Sequence, residues 1–251
     1  MASKKTLVVI NSYNLKTQTN LLYSELKGNE DGSYDTVILD NGSKPENVSE
    51  YAYIKFENNV FYSGAFKYAL NLAINNKDKY DSIQFIICSL SLTGHNWVPA
   101  VRNVMFSTDN VAMVSPCIIS NIEDQNAWRQ MHCWGLNKPR EVRWVDFQCA
   151  MFNIEFLEKI LPFPDFGISY GYDIYSGIKA EEMGYKVFAL DYVYAYHAKK
   201  ATFKTKDSNM TASTYGQQAL QGMYNGFDSI GKTKQLNQFR SWGQTYKPKE
   251  L

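Results

Sequence analysis

Over its first 115 residues the chain alternates short β-branched apolar runs with longer amphipathic stretches. Leu7-Val8-Val9-Ile10 has no polar interruption, which suits a strand covered on both faces. A polar loop from Asn11 to Lys16 follows, then an amphipathic helix with Leu21, Leu22 and Leu26, ended by Gly28. Residues 36–39 predict a second strand, stopped by the turn cluster Asp40-Asn41-Gly42-Ser43, and residues 53–56 a third. Residues 61–73 put Phe61, Ala65, Tyr68, Ala69 and Leu72 on one helical face. Residues 82–88 then read as a strand, 97–105 as a helix and 111–115 as a strand. Such alternation predicts a mixed, mostly parallel α/β sheet flanked by helices, with ligands bound where loops leave the carboxyl ends of strands. The loops at Asn11, Asp40 and Ser89 all leave from such ends, which points to a nucleotide-like or small polar ligand.

The second half is patterned differently. Residues 128–144 form a polar, tryptophan-containing loop, residues 145–152 an extended segment, and residues 155–161 a short helix closed by Pro162. Residues 173–183 predict a helix ended by Gly184, followed by two strands at 186–190 and 193–197. A helix near 213–224 and an irregular basic tail complete the chain.

Composition narrows the class. With 251 residues and 45% hydrophobic content the chain can bury a sizeable core, which excludes a disordered or low-complexity protein. The longest apolar stretch, residues 83–92, is interrupted by Gln84, Ser89 and Ser91, so no integral membrane segment is expected. The opening residues lack an apolar signal core. Cys88, Cys117, Cys133 and Cys149 are scattered with no metal-binding spacing, as in reduced thiols of a cytoplasmic protein. The net charge of +1 conceals an asymmetry: from His197 onward nine basic residues face three acids, about +6, while the preceding part is about −5. The expected organisation is therefore a domain over 1–200 and a basic, aromatic-containing extension over 201–251.

Several segments, in order, resemble family-2 inverting glycosyltransferases of the GT-A (nucleotide-diphospho-sugar transferase) fold, over roughly residues 6–197. Val8-Val9-Ile10-Asn11-Ser12-Tyr13-Asn14 is similar to the family's first strand and nucleotide loop, and Val37-Ile38-Leu39-Asp40-Asn41-Gly42-Ser43 to its second strand and turn. Residues 58–71, containing Ser63-Gly64-Ala65, resemble the segment that backs the donor. Val145-Asp146-Phe147-Gln148-Cys149-Ala150-Met151-Phe152 and Phe163-Pro164-Asp165-Phe166 resemble the acceptor side. Tyr170-Gly171-Tyr172-Asp173 resembles the Gly-Glu-Asp motif, and Tyr196-His197 the closing segment.

The resemblance implies transfer of a sugar from a nucleotide-sugar donor, a UDP-sugar being the leading choice, to an acceptor hydroxyl. Asp173 falls where the family places the base that takes the acceptor's proton; the plainer reading is an acid favoured at a helix start. Tyr172 replaces the usual Glu. Asn11, Ser12, Tyr13, Asp40, Gly64, Ser89 and Ser91 would bind the donor, though Asp40 is equally a turn former. His197 and Lys199 would contact the diphosphate, and Trp134, Asp146, Gln148 and Tyr172 the acceptor. Trp97 and Trp144 read as core, and His95 and His132 as loop residues.

One departure concerns the metal, whose ligands stay unknown. Relatives carry Asp-x-Asp after the fourth strand to hold a divalent ion, whereas Ile87-Cys88-Ser89-Leu90-Ser91-Leu92 offers only hydroxyls. The enzyme then works without metal, or holds it through diphosphate, water and other residues, or has lost catalysis. The last case would leave a non-catalytic nucleotide-sugar-binding module. The basic end, with Phe203, Tyr215, Tyr224, Phe227, Phe239, Trp242 and Tyr246 among its charges, suits a nucleic-acid acceptor. That chemistry matches bacteriophage enzymes that glycosylate hydroxymethylated DNA bases, which would act in the host cytoplasm; the alternative acceptor is a surface polysaccharide or lipid-linked glycan.

Overall fold

The computed structural model describes residues 3–93, 96–119, 128–198 and 210–248. Nine strands among these form one sheet: β1 Lys5–Ser12, β2 Tyr34–Asp40, β3 Ala52–Lys55, β4 Tyr80–Ile87, β5 Leu90–Thr93, β6 Val111–Ile119, β7 Pro139–Glu141, β8 Met151–Asn153 and β9 Lys186–His197. Their order is β3-β2-β1-β4-β8-β6-β9-β5, with β7 beside β9. The helices are α1 Lys16–Gly28, α2 Phe61–Asn75, α3 Trp97–Ser107, α4 Ile154–Ile160, α5 Tyr172–Glu182, α6 Ala212–Ser229 and α7 Thr233–Thr245.

β1 is apolar without alternation because both its faces are covered; Leu7 through Ser12 are all buried. It runs parallel to β2 and β4, with Ser12 opposite Asp40 and Asn11 opposite Ile87. The carboxyl ends of the three strands therefore meet at one edge. β5 runs antiparallel to β9 and sets Leu90 opposite His197, which carries the end of β9 to the same edge.

Three segments depart from expectation. Residues 186–197 are one strand, not two: Asp191, which looked like a break, is buried and its charge is matched by Arg140 at 2.7 Å. Its second oxygen accepts the amides of Trp134 and Leu136, so the strand continues through a fully satisfied carboxylate. Within 145–152 only Met151 onward is strand, although Ala150 and Gln148 carbonyls still accept from Phe85 and Ile87 of β4. The tail expected to be irregular contains α7, whose buried residues Leu236, Phe239 and Gly243 fall at helical spacing. Gly243 lies against Trp144 and Gln130, and the Trp144 indole donates to the Phe239 carbonyl at 3.1 Å.

The centre of the core is aromatic. The Phe66 ring of α2 meets Tyr62, Phe85, Phe147, Phe152, Phe163 and Tyr172 at centroid distances of 5.3–6.1 Å. These rings come from α2, β4, the 147–152 stretch, the loop before α5 and the first turn of α5. Removing the hub leaves a cavity that rigid neighbours cannot close. Phe66→Ala is expected to cost about 3–5 kcal/mol, which lowers the melting temperature by roughly 2–4 °C per kcal/mol in a chain of this size. A calorimetric loss under about 1 kcal/mol would show that the cluster is not the hub.

Candidate functional site

A cavity of about 760 Å³ opens at the edge where β1, β4 and β9 end. One wall comes from the loops after β1 and β4 (Asn11, Tyr13, Cys88, Ser89), a second from Asn58, Asn59, Phe61 and Tyr62 at the start of α2. Asp146, Gln148, Tyr170 and Asp173, together with Tyr215 and Met223 of α6 and Arg240 of α7, complete the lining.

Local geometry fixes these walls. The Asn41 side chain donates to the Phe61 carbonyl and accepts from the Val60 amide, both at 3.0 Å, so the turn after β2 locks the start of α2. Ser43 and Asn14 hold the β1 and β2 loops together through the Asn14 amide to Ser43 Oγ and the Lys44 amide to Asn14 Oδ1, both 2.9 Å. Gly171, just before α5, has φ of 110° and presses on Phe166 and Met223, where any side chain would collide. That contact sets Asp173 in the first turn of α5, facing the cavity.

Asp173 is the electrostatic focus. Burial first, and repulsion from Asp146 second, push its carboxyl up to about 7 against the opposing pull of backbone amides, including Ile174 N–H at 2.8 Å. Asp146 accepts a hydrogen bond from Gln148 Nε2 at 2.8 Å. The Tyr62 hydroxyl donates to the Phe147 carbonyl at 2.7 Å, and burial with both carboxylates nearby raises its own proton affinity. A carboxyl poised near neutrality in a cleft is suited to taking a proton.

The cavity gathers Asn11, Tyr13, Ser89, Asp146, Gln148, Tyr172, Asp173 and His197 from the residues singled out in the sequence. Tyr172 is almost wholly buried, its ring inside the Phe66 cluster. None of the other described residues singled out reaches the cavity wall. Ser12 is buried and hydrogen-bonds Thr19 at 2.9 Å. Asp40 does not line the cavity: its Oδ1 accepts the Ser43 amide as a turn carboxylate does, while Oδ2 is buried without a hydrogen-bond partner among the described residues. Gly64 packs inside α2 on Val60, and Ser91 is exposed on β5. Trp134 is used structurally: its amide donates to Asp191 and its indole to the Arg129 carbonyl. Lys199 lies outside the described residues. Of the lining residues, Asn41, Asn58, Asn59, Tyr62 and Tyr170 fall in segments that carry the resemblance without being singled out as site residues, while sequence reasoning missed Arg240.

No family model and no curated protein matches the sequence. Solved structures do match. GalNAc-T7, solved with UDP, GalNAc and Mn²⁺, superposes with a TM-score of 0.62 at 12% identity, over 96% of this chain and 54% of that one. The chain thus spans about half the length of GalNAc-T7. The mannosyltransferase PcManGT from Pyrobaculum calidifontis, in complex with GDP-Man and Mn²⁺, gives 0.57 at 12% identity, over 98% and 77%. Protein A197 from STIV gives 0.52 at 19% identity, over 77% and 85%. The fold is GT-A.

Among the described residues of this GT-A chain, the side chains form no set that fits the divalent ion of those two neighbours. No three His, Cys, Asp or Glu side chains gather as ligands among the described residues. Of the hydroxyls after β4, Ser89 reaches the cavity and Ser91 does not. No helix of the described residues is long and apolar enough to cross a membrane.

The raised Asp173 value gives a stability signature. Folding favours the protonated form over its ordinary value of 3.8, so ionising Asp173 costs stability as pH climbs from about 4 to about 7. Asp173→Asn should therefore melt at or above the wild-type temperature at pH 8, with the gap closing toward pH 4. A variant that melts clearly lower at pH 8 would make Asp173 a helix-start residue only.

Proposed function

We propose that the protein is a glycosyltransferase that moves a sugar from a nucleotide-sugar donor to an acceptor hydroxyl with inversion. The observation that carries this reading is Asp173: a carboxyl held near neutrality, in a GT-A cavity, in the position the Tyr170-Gly171-Tyr172-Asp173 motif assigns to the base. The two nucleotide-bound neighbours support a donor of this class.

The chemistry follows from the arrangement. The acceptor oxygen attacks the anomeric carbon from the side of Asp173 and passes its proton to that carboxylate. The bond between the anomeric carbon and the phosphate oxygen breaks on the opposite side, and its electron pair leaves with the nucleoside diphosphate. Asn11, Tyr13 and Ser89 form the donor end, with Asp40 supporting them from the end of β2. Asp146 raises the basicity of Asp173, and Gln148 holds Asp146 in place. A UDP-sugar is the first donor to test.

For the acceptor, the observation of note is the set of aromatic side chains that line the cavity: Phe61, Tyr62, Tyr170 and Tyr215. Such faces suit a planar group or the apolar face of a sugar. A hydroxymethylated DNA base, flipped into the cavity, is the nucleic-acid version of this reading; a polysaccharide or lipid-linked glycan is the other. A screen of nucleotide sugars against hydroxymethylated DNA and free glycans, read by mass, separates them. Binding of a nucleotide sugar without transfer or hydrolysis in any arm would instead make the protein a binding module.

Asp173→Asn is expected to lower transfer by roughly 10²–10⁴-fold while donor affinity stays near wild type. In the wild type, kcat/KM should fall about tenfold per pH unit below about 7, because only the ionised carboxylate accepts the proton. Retained transfer in the Asn variant assigns the base elsewhere. Transfer should also persist in excess chelator; complete loss that Mn²⁺ restores would reveal an ion bound through groups other than the described carboxylates.

A further inference from the structure

The cavity holds two carboxylates, yet the charge that builds during sugar transfer lies on the departing diphosphate and needs a cation. Arg240 of α7 is the single Lys or Arg among the described residues that line the cavity. It makes no ion pair with any described carboxylate. Its guanidinium instead lies over the Trp128 ring at 5.5 Å and the Tyr224 ring at 5.7 Å, and donates to Met223 Sδ at 3.8 Å. Two aromatic faces and a sulfur hold the group in place without neutralising it, so its full charge and most of its donors remain for a ligand. Trp128 is itself fixed edge-on to the buried Trp144, at 4.9 Å between centroids. Trp144 is tied to α7 by its bond to the Phe239 carbonyl, one residue before Arg240. Helix, ring and guanidinium therefore form one rigid unit.

We propose that Arg240 is the residue that binds the diphosphate of the donor and stabilises it as it leaves, the task that a metal ion performs where acidic ligands are present. The inference rests on the glycosyl-transfer reading. It also reassigns the basic C-terminal segment: at Arg240 its charge serves the donor, not the acceptor. Five N–H donors in a planar fork match two phosphate oxygens at once, which a lysine ammonium cannot reproduce.

The test compares nucleoside diphosphates with their nucleosides (UDP against uridine, GDP against guanosine) by calorimetric titration of the full chain in chelator. Wild type should prefer the diphosphate. In Arg240→Gln that preference should shrink by roughly tenfold or more, the loss expected for a charge-assisted hydrogen bond. Nucleoside affinity should not change, and Arg240→Lys should recover part of the preference. A purely structural role would weaken nucleoside and diphosphate alike and would not be rescued in this selective way. Arg240→Met, which keeps an apolar stem over Trp128, repeats the comparison should the Gln variant melt early. An undiminished diphosphate preference in these variants overturns the assignment, as does an effect confined to the acceptor KM. Wild type that binds no diphosphate better than its nucleoside removes the glycosyl-transfer reading itself.

Discussion

Phe66 decides where the polar groups of the cavity can be. Its ring joins helix α2 to strand β4, to the stretch that carries Asp146 and Gln148, and to the first turn of α5 beside Asp173. Aromatic pairs contribute about 0.5–1.5 kcal/mol each beyond the area they bury, so six around one ring resist displacement of any single partner. The polar groups of the cavity sit on the rim of this cluster. Their spacing is inherited from a dry, close-packed interior, and loops alone could not hold two carboxylates at a fixed separation.

That rigidity is what allows charge to be kept in an unfavourable place. Burial first, and the nearby Asp146 second, raise the cost of ionising Asp173. In a pliable site the side chains would swing apart or admit water, and the carboxyl would relax to an ordinary acid. The same principle appears at β9, where Arg140 and Asp191 are both buried: two further amides complete the Asp191 carboxylate, and two carbonyls accept from Arg140 Nη2. One buried carboxylate is satisfied and structural; the other is left poised.

Much of this was legible in the sequence where local rules decide. The uninterrupted run 7–10, the Asp40-Asn41-Gly42-Ser43 turn and the glycine before Asp173 each encode their geometry within a few residues. What was hidden depends on partners far along the chain. Asp191 looked like a strand break because its match, Arg140, is 51 positions away. Trp134 looked like a sugar platform because its indole and amide partners could not be read from a polar loop. Asp40 looked like a ligand contact, and the sequence could not show that Asn41 would line the cavity in its place. Arg240 looked like one charge of an irregular basic tail, since nothing nearby signals that α7 folds back onto the cavity.

Gly222 and Gly226 give this folding back a further meaning. Both lie on the face of α6 that meets residues 165–167, so close that a methyl group at either would fall within 2.6 Å of a backbone atom or ring carbon of that segment. The seam therefore has no slack and no adaptable side chain to absorb a change in shape. A C-terminal segment of this kind is not a cassette that could be exchanged between sheets to alter what the cavity accepts. Its two halves must be remodelled together, and variety in the ligand would have to come from the residues that face the cavity, while the seam behind them stays as it is.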